Sequence, residues 1–264
     1  MYSQTFKNIL MKFQSIVQAQ KETGLRYIGQ INNGAKHKKA YHYNELVYTI
    51  YFAPADSSGY EVCPGRSKSC TTSCLNMSGH NRMDMKREMI NKSRIKKTKL
   101  FFEEREFTVR WIIAEIEKFK TKATNMSYTF SVRLNNTSDI SPEEFYIIDN
   151  GKKKNLLELF PDITFYDYTK VPSRVNLLKK YKNYDLTFSF NGYNIELCKK
   201  MLKKNVRVAV VFNGVLPDEF INHQVVNGDL YDMRYKEATN VIVGLHYKKV
   251  RNELAQDNKF VIQT

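Results

Sequence analysis

Three of the chain's four cysteines, Cys63, Cys70 and Cys74, fall within twelve residues of the stretch EVCPGRSKSCTTSCLN. Little else there suits a core, since Pro, Gly, charges and Ser/Thr fill the gaps. In a chain of cytoplasmic character such thiols point to metal or catalysis rather than to disulfides. The spacing C-x6-C-x3-C matches neither the usual zinc-finger pattern nor the common ferredoxin runs. Two metal assignments follow. Zinc would take the three thiolates plus His80 as a fourth donor. An iron–sulfur cluster of the 4Fe-4S type needs only the three thiolates if one iron stays open to substrate or cofactor. Cys198 stands apart in NIELCKKMLKK, on the apolar side of a helical pattern, and reads as a small buried hydrophobe.

The next residues able to do chemistry are acids and cations at the ends of predicted strands. In SVRLNNTSDI, period-2 alternation sets Arg133 and Asn135 on one face, with Asp139 beyond the strand's carboxyl end. Ser141, Pro142 and Glu144 read as a capping box, which leaves Asp139 free for a site. In FYDYTKVPSR, Phe165 and Asp167 share one face while Tyr166 and Tyr168 share the other. A mid-strand carboxylate costs several kcal/mol unless paired, and Lys170 and Arg174 are the expected partners. Asp139, Asp167 and Lys170 are therefore the catalytic candidates, with Arg133, Asn135 and Arg174 as substrate contacts. NGDLYDMRY adds Asp229, Asp232 and Arg234, which could bind a ribose or an amine, or cap the turn after Asn-Gly.

The elements that must position these groups alternate. LVYTIYFAP, YTFSVRL, DITFYDYTK, YDLTFSF, VRVAVVFNG and VIVGLHYKK read as about six core strands, most followed by a helical pattern. Alternating β and α segments imply a parallel sheet. No G-x-G-x-x-G fingerprint or Walker loop follows any strand, so a (β/α) barrel of the TIM type, complete or partial, outranks a Rossmann sheet. A single domain over residues 1–264 is expected, with 1–29 as an N-terminal helical extension packed on it. A long basic amphipathic helical stretch follows the cysteines.

The 42 Lys+Arg against 27 Asp+Glu give a net charge of +15, which favours polyanions such as nucleic acid or a nucleotide. The same excess of Lys also arises from an A+T-rich coding sequence. NKSRIKKTK places Lys92, Lys96 and Lys99 on one helical face as candidate phosphate contacts; the plainer reading is a solvated face. No apolar run approaches the roughly 20 residues of a membrane span. The lysine-bearing start is not a secretory signal, so a cytoplasmic location is expected.

The stretches APADSSGYEVCP, SCLN, RIKKTKLFFEER, RLNNTSDI, FYDYTKVPSR, LTFSF, VAVVFNG, NGDLYDMRY and VIVGLHYK together resemble a family of bacteriophage and plasmid proteins, gene product 88, over roughly residues 30–262. The resemblance implies a phage-encoded protein and brings no established reaction. That family does not characteristically carry His at position 80, which favours the three-thiolate cluster, and it usually has Gly where Asn136 stands. The layout alone is similar to radical S-adenosylmethionine enzymes, whose three cysteines follow the first strand of a partial barrel in the tighter spacing C-x3-C-x2-C. Three readings result. The first is an iron–sulfur enzyme modifying a nucleotide or nucleic-acid base, with S-adenosylmethionine as second cofactor if the chemistry is radical. The second is a zinc-containing base-exchange transglycosylase that installs a deazaguanine in DNA through Asp139 and Asp167. The third is a non-enzymatic, metal-stapled DNA-binding protein.

Overall fold

The computed structural model describes residues 15–74, 76, 84–248 and 258–264. Strands β1 (Gly29–Ile31), β2 (Glu45–Ile50), β3 (Thr129–Arg133), β6 (Thr164–Thr169), β7 (Tyr184–Ser189), β8 (Val208–Asn213), β9 (Glu219–Phe220), β10 (His223–Asn227) and β11 (Ile242–His246) form one sheet. They run in the order β1-β2-β3-β6-β7-β8-β11-β10-β9. All neighbours from β2 to β10 are parallel, and only the edge strands β1 and β9 run antiparallel. A separate hairpin joins β4 (Tyr146–Asp149) to β5 (Lys152–Asn155). The six strands read from the sequence are all present, as β2, β3, β6, β7, β8 and β11.

The barrel is not. Edge strands β1 and β9 do not pair, and the sheet stays open. The outward series of βα units stops at β8, where the chain makes the β9–β10 hairpin and returns so that β11 inserts between β8 and β10. The return segment then runs over one face of the sheet and buries Asp232, Met233 and Arg234 there.

The two faces of the sheet differ as the alternation of the strands dictates. One carries Tyr48, Ile50, Val132, Phe165, Leu186, Phe188, Val208, Val210, Phe212 and Ile242 into the main core. That face is covered by α5 (Arg105–Asn125), whose Trp111, Ile112 and Ile116 are fully buried, and by α8 (Ile195–Lys203). The predicted long basic helix divides at Glu104 into α4 (Asp84–Glu103) and α5, which pack on each other. From the amino-terminal stretch, α1 (Ile16–Thr23) packs on α5, and Ala19, Leu25 and Ile28 join the main core. The opposite face has a small apolar cluster of Ala40, Val47, Tyr166 and Met233, set among buried ionic side chains. Strand β12 (Val261–Gln263) lies against the carboxyl half of β8, from Val211 to Asn213, while β7 pairs only with Val208 and Ala209. The sheet therefore splits beside β8 at its carboxyl end, and ligands of open α/β sheets bind in crevices of this kind.

Candidate active-site cleft

A cleft of about 650 Å³ opens at the carboxyl ends of the parallel strands. Cys63, Cys70, Cys74, Lys170 and Phe260 line one wall; Lys36, His37, Arg133, Tyr168 and Asp232 line the other. The volume lies in the range of small-molecule sites.

The thiol wall is the loop after β2, and it is anchored from distant parts of the chain. The Ser67 hydroxyl donates to the Asn191 carbonyl, and Asn191 Nδ2 donates to the Gly65 carbonyl at 3.1 Å. A short helix, α3 (Lys68–Thr72), is capped by Ser67, and Asn258 Nδ2 donates to Ser73 Oγ at 2.7 Å. The backbone N–H of Asp139 donates to the Val62 carbonyl at 2.6 Å. Gly65 lies so close to β6 that a Cβ there would stand 2.6 Å from Lys170 Cβ. Burial pushes the Cys63 thiol up to about 12 and raises Cys74 as well. Burial alone would lower Lys170, but Cys70, Asp139, Cys63 and Cys74 surround it and hold its ammonium above the ordinary lysine value. Among the described residues no three His, Cys, Asp or Glu side chains converge closely enough to hold a single metal ion. His80 lies outside the described residues.

The ionic wall is centred on Asp232, whose side chain is 2% exposed. Its Oδ2 faces Arg133 Nη1 at 2.8 Å, His37 Nε2 at 3.0 Å and Tyr166 Oη at 3.1 Å. Burial would raise this carboxyl, but Arg133, His37 and Lys36 outweigh it and hold Asp232 well below the usual range. The Arg133 guanidinium also lies over the Tyr168 ring at 4.6 Å. Lys36 Nζ stands 3.7 Å from Asp229 and 4.0 Å from Asp232, beyond hydrogen-bond reach of either. Burial pulls its amine down to about 8 against the opposing pull of Asp232.

Several sequence expectations are corrected by this geometry. Asp167 is paired with neither Lys170 nor Arg174; its carboxylate accepts Asn135 N–H at 2.8 Å and Asn135 Nδ2 at 3.1 Å, on the face turned to the main core. It does not line the cleft. Arg174 instead pairs with Asp139, which also accepts the Lys170 backbone N–H at 2.8 Å. Ser141 makes no side-chain cap bond, so no capping box forms there; a capping box does form between Asn155 and Glu158, at α6 (Leu156–Leu159). Arg234 is fully buried, bonded to the Tyr231 and Asp232 carbonyls and paired with Glu237, away from the cleft. Asp229 lines the cleft while accepting His246 N–H at 2.8 Å. Lys92, Lys96 and Lys99 are exposed on α4; only Asn91 and Ile95 of their stretch reach the cleft, and Lys92 pairs with Glu88. Cys198 is buried, as read.

Sequence reasoning missed Lys36, His37 and Tyr168 as lining groups. Tyr168 carried a signal, because it shares the alternation face opposite Asp167. Lys36 and His37 carried none, because they sit on a short helix, α2 (Ala35–Lys38), in the connection between β1 and β2. The model of the family described as Gene product 88 matches residues 20–264. No curated protein and no solved structure matches the chain.

Proposed function

The chain belongs to the Gene product 88 family, and from the contents of its cleft we propose that it is an iron–sulfur enzyme acting on a nucleotide or nucleic-acid base. The observation that carries the reading is the meeting of Cys63, Cys70 and Cys74 around Lys170 in one cleft at the carboxyl edge of a parallel sheet. A tetrahedral zinc site draws its sulfurs to about 2.3 Å from one centre. The described donors offer no such convergence. Each thiolate of a cluster binds a different iron, so its three sulfurs stand further apart, as a loop wrapped around a lysine allows. The zinc transglycosylase reading also loses its pair of acids, since Asp167 faces the core and Asp139 is held by Arg174.

In this reading Cys63, Cys70 and Cys74 hold the cluster. A cluster held there with one open iron would supply a Lewis-acid or one-electron centre. Lys170 provides a positive charge beside the thiolates, which offsets the cost of burying them. Asp139, fixed by Arg174 and the Lys170 backbone, holds that end of β6 in place. Phe190 and Phe260 also line the cleft and give it apolar surface.

The test is iron and acid-labile sulfide analysis, with a visible spectrum, on protein purified without oxygen beside a Cys70→Ala variant. Iron with sulfide and a broad absorbance that the variant loses is the expected result. S-adenosylmethionine cleavage under reduction is then assayed on the loaded protein. Stoichiometric zinc in a colourless protein, or iron unaffected by the substitution, overturns the reading.

A further inference from the structure

The ionic wall has a feature that the thiols do not explain. Arg133 is held rigidly by Asp232 at 2.8 Å and by the Tyr168 ring, yet its Nε has no hydrogen-bond partner. Lys36 stands beside it with a side chain only 16% exposed and, among the described residues, no hydrogen bond from its ammonium. The Oδ2 atoms of the two nearby acids are occupied, Asp232 Oδ2 by Arg133, Tyr166 and His37 and Asp229 Oδ2 by the N–H and Nδ1 of His246. Their Oδ1 atoms face Lys36 at 4.0 Å and 3.7 Å, close enough to pair in charge but too far to accept its protons. Lys248 lines the same end of the cleft. A fixed guanidinium and an unbonded, half-dried ammonium side by side match a group with several acceptor oxygens and more than one negative charge.

We propose that Lys36 and Arg133 form the phosphate subsite of the cleft, taking the terminal phosphate of a mononucleotide and so turning its base towards the thiol wall. This rests on reading the cleft as a ligand site; it names the ligand class and moves phosphate recognition from the outer face of α4 to the cleft interior. The cleft's volume of about 650 Å³ accommodates one nucleotide rather than a folded nucleic acid. Burial of the Lys36 amine agrees with the geometry, since the phosphate oxygens would accept the hydrogen bonds that Asp229 and Asp232 stand too far away to take.

The experiment is calorimetric titration of the full chain with the four ribonucleoside 5′-monophosphates, their nucleosides, inorganic phosphate and acetate. Wild type is compared with Lys36→Gln, Lys36→Arg and the outer-face control Lys99→Gln. Loss of one charge-assisted hydrogen bond corresponds to about a 10- to 100-fold weakening. The expected result is a monophosphate that binds more tightly than its nucleoside, weakened by that factor in Lys36→Gln, substantially retained in Lys36→Arg and unchanged in Lys99→Gln. Among the described residues Lys36 makes no hydrogen bond but pairs in charge with Asp229 and Asp232, so melting temperatures are recorded for each variant, and Lys36→Arg, which keeps that charge, keeps the comparison valid if Lys36→Gln melts early. Equal binding of nucleoside and monophosphate, acetate binding as tightly as phosphate, no binding at millimolar concentration, or indifference to Lys36→Gln overturns the subsite. Iron and sulfide content of the same samples separates the two readings. Phosphate binding without iron leaves the subsite standing and removes the cluster, and iron without phosphate binding does the reverse.

Discussion

Asp167 offers a pH experiment whose size can be worked out in advance. The side chain is 2% exposed, and its two oxygens accept hydrogen bonds from the backbone and side chain of Asn135. Burial raises its pKa from 3.8 to about 7, more than the Asn135 bonds and Arg133 lower it. A carboxyl whose folded value is raised favours folding at low pH. Its contribution is fully present below the unfolded value near 3.8 and is lost as pH climbs to about 7. Carried through linkage, that interval amounts to about 4 kcal/mol. Asp167→Asn removes the titration but sets one amide against the Asn135 amide, so a constant penalty of about 1–3 kcal/mol replaces the sloping one. Urea unfolding of both proteins at pH 4, 5, 6, 7 and 8 isolates the residue as the wild-type minus variant difference, in which the other titrating groups cancel. Wild type should lead at pH 4, fall behind the variant by about 1–3 kcal/mol at pH 7 and change little beyond. A difference that stays flat across the range would refute the reasoning, because the two Asn135 bonds would then compensate the burial of the charge.

Two further outcomes follow from the same structure. Asp232→Asn leaves the Arg133 guanidinium buried without its anion, which costs about 3–5 kcal/mol; a urea midpoint close to that of wild type would contradict the pairing. Gly65→Ala places a Cβ 2.6 Å from Lys170 Cβ and 2.7 Å from the Lys170 carbonyl. Relieving that clash costs about 1–3 kcal/mol and shifts the cysteine loop off β6. A lowered melting temperature with faster labelling of Cys63 and Cys70 by a thiol reagent is expected, and unchanged labelling rates would show that the loop does not depend on this approach.

Short β-branched and aromatic runs alternating with helical patterns made the six parallel strands legible. The six parallel strands each bury one set of side chains in the main core, and that pattern is visible in VYTI, TFYDYT and VAVVF. The siting of the thiols was legible too, because loops at the carboxyl ends of parallel strands gather at one edge whether or not the sheet closes. Closure was not legible. It turns on the order of β10 and β11 and on residues 229–237 crossing one face, and no local pattern encodes which side a returning strand takes. Asp167 was misplaced for a similar reason: alternation separates it from Tyr168 but does not say which set faces the helices. The Arg174–Asp139 pair and the Asp232 network join residues 35 to 195 positions apart, and single-sequence reasoning has no access to contacts of that reach.

The anchoring of the cysteine loop has a consequence for the order in which the protein is assembled. A chain emerges from the ribosome amino end first, and its domains take shape as segments become available. Cys63, Cys70 and Cys74 emerge first, but Asn191, which holds Gly65 and Ser67, comes more than a hundred residues later, and Asn258, which holds Ser73, later still. Strand β12, which completes the split beside β8, follows immediately after Asn258. Until those segments emerge, the three thiols therefore sit on a loop without its clamps. Whatever the finished cleft binds, the thiol wall reaches its final shape only after Asn191 and Asn258 have emerged, so loading of that wall waits on segments far downstream of the cysteines.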